Sequence, residues 1–172
     1  MKFFFVLNGK SIKQALIIMI AALFTAWFFY VESIAQVPVF STEDGPKAVY
    51  KGEKDIALTF NIGWGDEKAE PILDVLKKEN VQSATFFLSG AWAERHPDTV
   101  NRIVKEGYEI GMLGYDYKDY TEIEESKIRQ DLSKAQEAFK KLNVKEIELV
   151  RAPTGHFDKR TLNIAEKMGY TV

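Results

Sequence analysis

No cysteine occurs among the 172 residues. That excludes disulfides, thiolate zinc sites, a cysteine nucleophile and lipoprotein acylation. Histidine is nearly as scarce, with only His96 and His156, and two such separated imidazoles do not make a metal site. Neither sign of charge predominates: 23 Lys and Arg stand against 25 Asp and Glu, a formal net charge of −2. The basic residues are interspersed with acidic ones rather than gathered in a stripe, so nothing points to a nucleic-acid partner. There is no internal repeat and no low-complexity block.

Long apolar runs are also absent, with one exception. Residues Ala15 to Val31 are apolar apart from Thr25, a run of about 17 residues at the short end of what spans a bilayer. Lys2, Lys10 and Lys13 precede it and Trp27, Phe28, Phe29 and Tyr30 lie at its far end. By the positive-inside rule residues 1–13 are cytoplasmic, 14–35 are a transmembrane anchor or signal, and the rest is extracytoplasmic. Ser33-Ile34-Ala35 has small residues where a signal peptidase requires them, so the alternatives are a single-pass membrane protein and a protein secreted after cleavage behind Ala35.

Residues 36–53, with Pro38, Gly45 and Pro46, read as a polar linker. From residue 54 to 172 strands and helices alternate. Ile56–Phe60, Ala84–Leu88, Tyr108–Gly111 and Ile147–Val150 read as strands, and Tyr170-Thr171-Val172 begins a fifth. Helices are expected at 68–79, with Ile72, Leu73, Val75 and Leu76 inward, and from Pro97, with Val100, Ile103 and Val104 inward. A long helix behind a Thr121–Glu124 capping box and one capped by Asp158 complete the set. Strict β-α order implies a parallel sheet with right-handed crossovers, hence an α/β fold. Four strands and a fragment leave such a sheet open, with an apolar edge that something must cover.

Chemistry in a β/α protein sits at the C-terminal ends of strands. The first strand runs through Leu58-Thr59-Phe60 into Asn61 and the loop Gly63-Trp64-Gly65-Asp66-Glu67. Asn61 is an amide, able to orient a ligand but not to act as a general base near neutral pH. Gly63-x-Gly65 lacks the third glycine of a dinucleotide loop.

Thr59-Phe60-Asn61, Ala84-Thr85-Phe86-Phe87-Leu88, Glu109-Ile110-Gly111 and Arg151-Ala152-Pro153-Thr154-Gly155 resemble, in order and spacing, the motifs of the NodB-type polysaccharide deacetylases. Gly63-Trp64-Gly65-Asp66-Glu67, Trp92 to Pro97 and Gly114-Tyr115 are similar to sporulation-associated members of that family. The resemblance covers about 54 to 172. It implies a distorted (β/α) barrel, incomplete here after about five strands, and removal of N-acetyl groups from extracellular glycans such as peptidoglycan. It also implies a zinc-type divalent metal, held by one Asp and two His, that lowers the pKa of its water.

Carried over by position, the expected base falls on Asn61, the metal Asp on Ile62 and the two His on Leu113 and Tyr117, so no metal ligand remains and no cofactor is expected. The late tryptophan and histidine motifs would lie beyond Val172. Arg151 and Pro153 match. The family's arginine pairs with the base carboxylate; here its partner would be neutral.

Asp66 is the leading substitute catalytic carboxylate, alone or with Glu67, Asp116 and Asp119 around a cation; its ordinary role would be to cap the helix at 68–79. Trp64, Tyr115 and Tyr117 are expected to bind substrate by stacking on sugar faces, or else to fill space. Pro153, Gly155 and His156 join them as substrate-binding candidates on the loop after the fourth strand, while His96 is expected at a helix start far from the site. Three functions follow: a deacetylase, a catalytically silent membrane-anchored protein binding glycan or protein, and a product without function.

Overall fold

The structure is a computed structural model, and it describes residues 9–35, 48–49, 56–144 and 147–172. Two units are distinct, Met1–Pro38 and Val39–Val172. The first contains helix α1 (Gly9–Ala35). Within it Ile12–Tyr30 is long and apolar enough to cross a membrane, a property shared by spans and by signal sequences. At about 1.5 Å per residue those 19 residues match a hydrocarbon core of roughly 30 Å. Inside the run, the Thr25 hydroxyl donates to the Ala21 carbonyl at 2.8 Å, so its polar group is satisfied within the helix. Most of the expected linker, 36–53, lies outside the described residues.

The second unit alternates β1 (Thr59–Ile62), α2 (Ala69–Lys78), β2 (Thr85–Leu88), α3 (Gly90–Arg95), α4 (Pro97–Lys105), β3 (Glu109–Met112), α5 (Glu125–Lys141), a 3-10 turn (Pro153–Gly155) and α6 (Lys159–Lys167). The three strands are parallel in the order β1-β2-β3, with Asn61 in register with Phe87 and Phe87 with Gly111. Beyond β3 single bridges continue the ladder from Met112 to Val150 and from Leu149 to Thr171. The Val49 amide then donates to the Val172 carbonyl at 2.6 Å. The expected fourth and fifth strands thus reduce to single-residue bridges, and residues 145–146 are not described.

Alternation decides which residues face the helices. Phe86, Leu88 and Met112 are fully buried, and Ile62 and Ile110 nearly so, against α2 to α5. Leu73 and Leu76 of α2, Val100 and Ile103 of α4, and Ile128, Leu132, Ala135 and Phe139 of α5 supply the other side of this core. Val75 and Val104 were expected inward but are exposed. A helix of this length presents one stripe of roughly 100° to the sheet, and Leu73/Leu76 and Val100/Ile103 already fill it. Arg102 ties α4 to α2 by ion pairs with Glu70 and Asp74.

Two further expectations are corrected. The first strand was placed at Ile56–Phe60, but Ile56 is 95% exposed and the strand starts at Thr59. Ile56 therefore lies outside the core. The Thr121–Glu124 capping box does not form: Glu124 is the N-cap without a side-chain bond, because the Thr121 hydroxyl and amide are both spent on Asp119 at 2.6 and 2.9 Å. Asp158 does cap α6, accepting from the Thr161 amide at 2.7 Å.

Candidate functional site

The opposite face of the sheet carries Thr59, Thr85, Phe87, Glu109, Leu149 and Arg151, and it curves around a cavity of about 620 Å³. Ala57 beside β1 and Val49 at the other end of the ladder line the same cavity, so the sheet is an arc. At its centre, the Phe87 ring lies over Gly111, where an added Cβ would meet the ring at 2.5 Å. The Arg151 guanidinium rests on the same ring, 4.0 Å from its centroid. Arg151 Nη1 donates to Asn61 Oδ1 at 2.9 Å and to Thr59 Oγ1 at 3.1 Å. Burial pushes the Arg151 pKa down from its ordinary value. Asn61 and Arg151, 90 residues apart in sequence, are thus brought together at the strand ends.

A second cluster lies in the loops after β3 and before α6. Asp119 Oδ2 is 2.6 Å from His156 Nδ1 and accepts from the Thr154 hydroxyl at 3.2 Å. Burial works to raise the Asp119 pKa, but hydrogen bonds from Thr121, His156 and Thr154 outweigh it and hold the carboxyl at about 2. Thr154 keeps φ at +64°, a left-handed conformation uncommon for a β-branched residue. Pro153 is buried, whereas Gly155 lines the cavity.

The loop after β1 is arranged differently from expectation. Asp66 does not cap α2, whose N-cap is Lys68 without a side-chain bond. Asp66 Oδ1 instead meets His96 Nε2 at 2.9 Å. The His96 ring stacks on Trp92 with centroids 4.4 Å apart, and Trp92 Nε1 donates to the Gly65 carbonyl at 2.6 Å. His96, expected to stand apart, therefore holds the loop in place. Trp92 and His96 are four residues apart, the spacing of neighbours on one helix face, which was the signal for this contact. Trp64 projects from the anchored loop, 80% exposed.

Tyr115 and Tyr117 part company. The Tyr117 ring covers Gly63, where an added Cβ would meet it at 2.5 Å, and Tyr117 has φ of +57°. Tyr115, expected beside it over the strand ends, turns into the helical layer: its ring lies beside Gly90, its hydroxyl donates to Glu94 at 2.7 Å, and Lys134 Nζ sits 3.6 Å from its ring centroid. The cause is Asp131 on α5, buried, which accepts from the Tyr115 and Asp116 amides at 2.8 and 3.0 Å and from the Tyr120 hydroxyl at 2.8 Å. In the sequence the trace of Asp131 is its place three residues after Ile128 and next to Leu132, on the buried face of α5.

The family metal can be tested against the donor set. Ile62 and Leu113 are buried hydrocarbons, and Tyr117 packs on Gly63, so the positions that would hold the ion offer no ligand pair. Asp66, Asp116 and Asp119 are paired separately with His96, Lys118 and His156. Among the described residues no three His, Cys, Asp or Glu side chains converge. The residues do not fit the group.

The chain belongs to the polysaccharide deacetylase family, whose model matches residues 48–172. It is 33% identical over 119 residues to the peptidoglycan-N-acetylmuramic acid deacetylase PdaA of Bacillus subtilis, covering 69% of this chain and 45% of that protein. A family 4 carbohydrate esterase from Bacillus anthracis superposes with a TM-score of 0.63 at 37% identity, covering 67% of this chain and 56% of that one. A mutant of BA3943, described as a pseudoenzyme of carbohydrate esterase family 4 with restored enzymatic activity, superposes with a TM-score of 0.63 at 29% identity over 67% and 42% of the two chains. The chain spans about half the length of the curated relatives it matches, or less.

Proposed function

We propose that this chain is an extracytoplasmic, membrane-anchored member of the family that binds N-acetylated glycan of the peptidoglycan type without hydrolysing it. The observation that carries this reading is the Arg151–Asn61 hydrogen bond. Arginine holds the place of an ion-pair partner, and what it holds is an amide that takes up no proton near neutral pH. Hydrocarbon at Ile62 and Leu113 leaves no water-activating ion to compensate. Relatives named as peptidoglycan deacetylases support the glycan class, and sporulation-type cell-wall metabolism is the setting that the loop motifs suggest.

Trp64 is the sugar platform in this reading, because an exposed indole on an anchored loop stacks on a pyranose at little ordering cost. Asp66, spent on His96, is not needed for it. The test has two arms on the full chain. Acetate release from an N-acetylglucosamine oligomer, with and without added zinc, is expected to stay at background; zinc-dependent release would overturn the silent site. Retention on insoluble peptidoglycan is expected to fall in Trp64→Ala with the fold unchanged, and equal retention would remove Trp64 from the binding surface.

A further inference from the structure

Arg151 is supplied with more donor capacity than its neighbours use. A guanidinium carries five N–H donors in a rigid fork. Both hydrogen bonds it makes leave through Nη1, to Asn61 and Thr59. Nε and Nη2 have no partner among the described residues, and neither is a buried orphan. The side chain is fixed all the same, because the Phe87 ring supports its face and the Arg151 amide is bonded to the Met112 carbonyl at 2.9 Å.

No Asp or Glu oxygen among the described residues lies within ion-pair distance of Arg151. Among the described residues Glu109 is the one Asp or Glu side chain lining the cavity, and it accepts from the Thr85 hydroxyl at 2.6 Å in the register row of Thr59, two residues below Asn61. The lowered Arg151 pKa has burial as its cause and no anion offsetting it. A partly desolvated cation with an open donor edge is costly unless an anion completes it.

We infer that Arg151, with Asn61, Thr59 and Phe87, forms a receptor for the carboxylate of an acidic sugar unit, of the muramic or uronic acid class. Nε and Nη2 present the parallel pair of donors that a carboxylate takes bidentately. The Asn61 amide nitrogen can add a third donor, since its oxygen already faces Arg151. The cavity of about 620 Å³ is within the range that accommodates a small ligand, and Val49, Ala57, Leu149 and Phe157 give it apolar walls. An aspartate at position 61 would fill the cation's need internally. Asparagine leaves it for a ligand, so the substitution that removes the base creates the anion site. This deepens the glycan-binding reading and rests on it for the sugar, though not for the carboxylate.

The test titrates the full chain in mild detergent, followed by calorimetry and by NMR of the arginine side-chain N–H groups. Three probes are used: a muramic-acid-containing disaccharide, a neutral N-acetylglucosamine oligomer, and sodium acetate. The acidic disaccharide is expected to bind about tenfold or more tightly than the neutral oligomer. Arg151→Gln and the near-isosteric Asn61→Asp should each remove that advantage. Equal binding of acidic and neutral sugars overturns the inference and leaves the glycan reading standing. Acetate shifting the arginine resonances in the natural chain but not in Asn61→Asp, with neither sugar bound, upholds the carboxylate site and overturns the glycan reading. No response to any probe overturns both.

Discussion

His156 Nδ1 lies 2.6 Å from Asp119 Oδ2, joining the loop after β3 to the loop before α6. The carboxylate is largely buried, with 16% side-chain exposure, while the imidazole is 71% exposed. Asp119 therefore organises the turn, and His156 is the accessible partner. Because the folded Asp119 pKa is depressed to about 2 from an unfolded value of about 4, its contribution to stability is fully present above about pH 4. It is lost as the pH falls through the folded value. Stability of the natural chain should drop between about pH 4 and pH 2 more steeply than that of Asp119→Asn, measured by denaturant unfolding at each pH. Parallel curves in that window would show that the clasp contributes nothing.

Asp131 answers to three donors at once. Asp131→Ala leaves two amides and the Tyr120 hydroxyl without their acceptor and should cost about 3 kcal/mol or more. Gly114→Ala should be damaging by a different route. Gly114 has φ of +66°, and its added methyl would overlap Asp131 Oδ2 and the Tyr120 hydroxyl. Urea unfolding of both variants checks this, and a loss under about 1 kcal/mol in either would contradict the packing described.

The Asp66–His96 pair is worth much less. Asp66 has 73% side-chain exposure, and exposed pairs contribute about 0–1 kcal/mol. Asp66→Ala should leave stability within about 1 kcal/mol of the natural chain, and salt should shrink the difference. His96→Ala should cost more, because it also removes the ring stacked on Trp92. A double-mutant cycle gives the coupling directly.

Helix α1 makes a prediction about the cell. The full chain should sediment with membranes and resist a carbonate wash, and a chain lacking residues 1–35 should remain in the supernatant. N-terminal sequencing of the mature protein separates the two origins of α1. An intact start indicates an anchor, whereas a start at Gln36 indicates cleavage after Ala35.

Much of the helical layer was legible from spacing. Ile128, Leu132, Ala135 and Phe139 repeat at helical intervals and are buried; Pro97 occupies the first turn of α4 and Asp158 caps α6. These are local properties, written in residues three or four apart. Strand limits were less legible, because Ile56 has an apolar side chain wherever it ends up. Its exposure is a property of the folded chain, since it precedes the first strand rather than lying in it. The expected cap at Asp66 does not form, because its carboxylate pairs with a histidine instead. The choice was made by His96, 30 residues away.

By itself the sequence determined the alternation of strands and helices, the apolar N-terminal helix, and the identity of the side chains at Asn61, Ile62, Leu113 and Tyr117. Those follow from side-chain identity and periodicity, which need no partner to be read. The tertiary structure alone decided that Arg151 meets Asn61 and Thr59 through one nitrogen, that Asp119 holds His156, and that Tyr115 leaves the strand ends while Tyr117 stays. Each depends on which distant residues curvature of the sheet brings within about 3 Å.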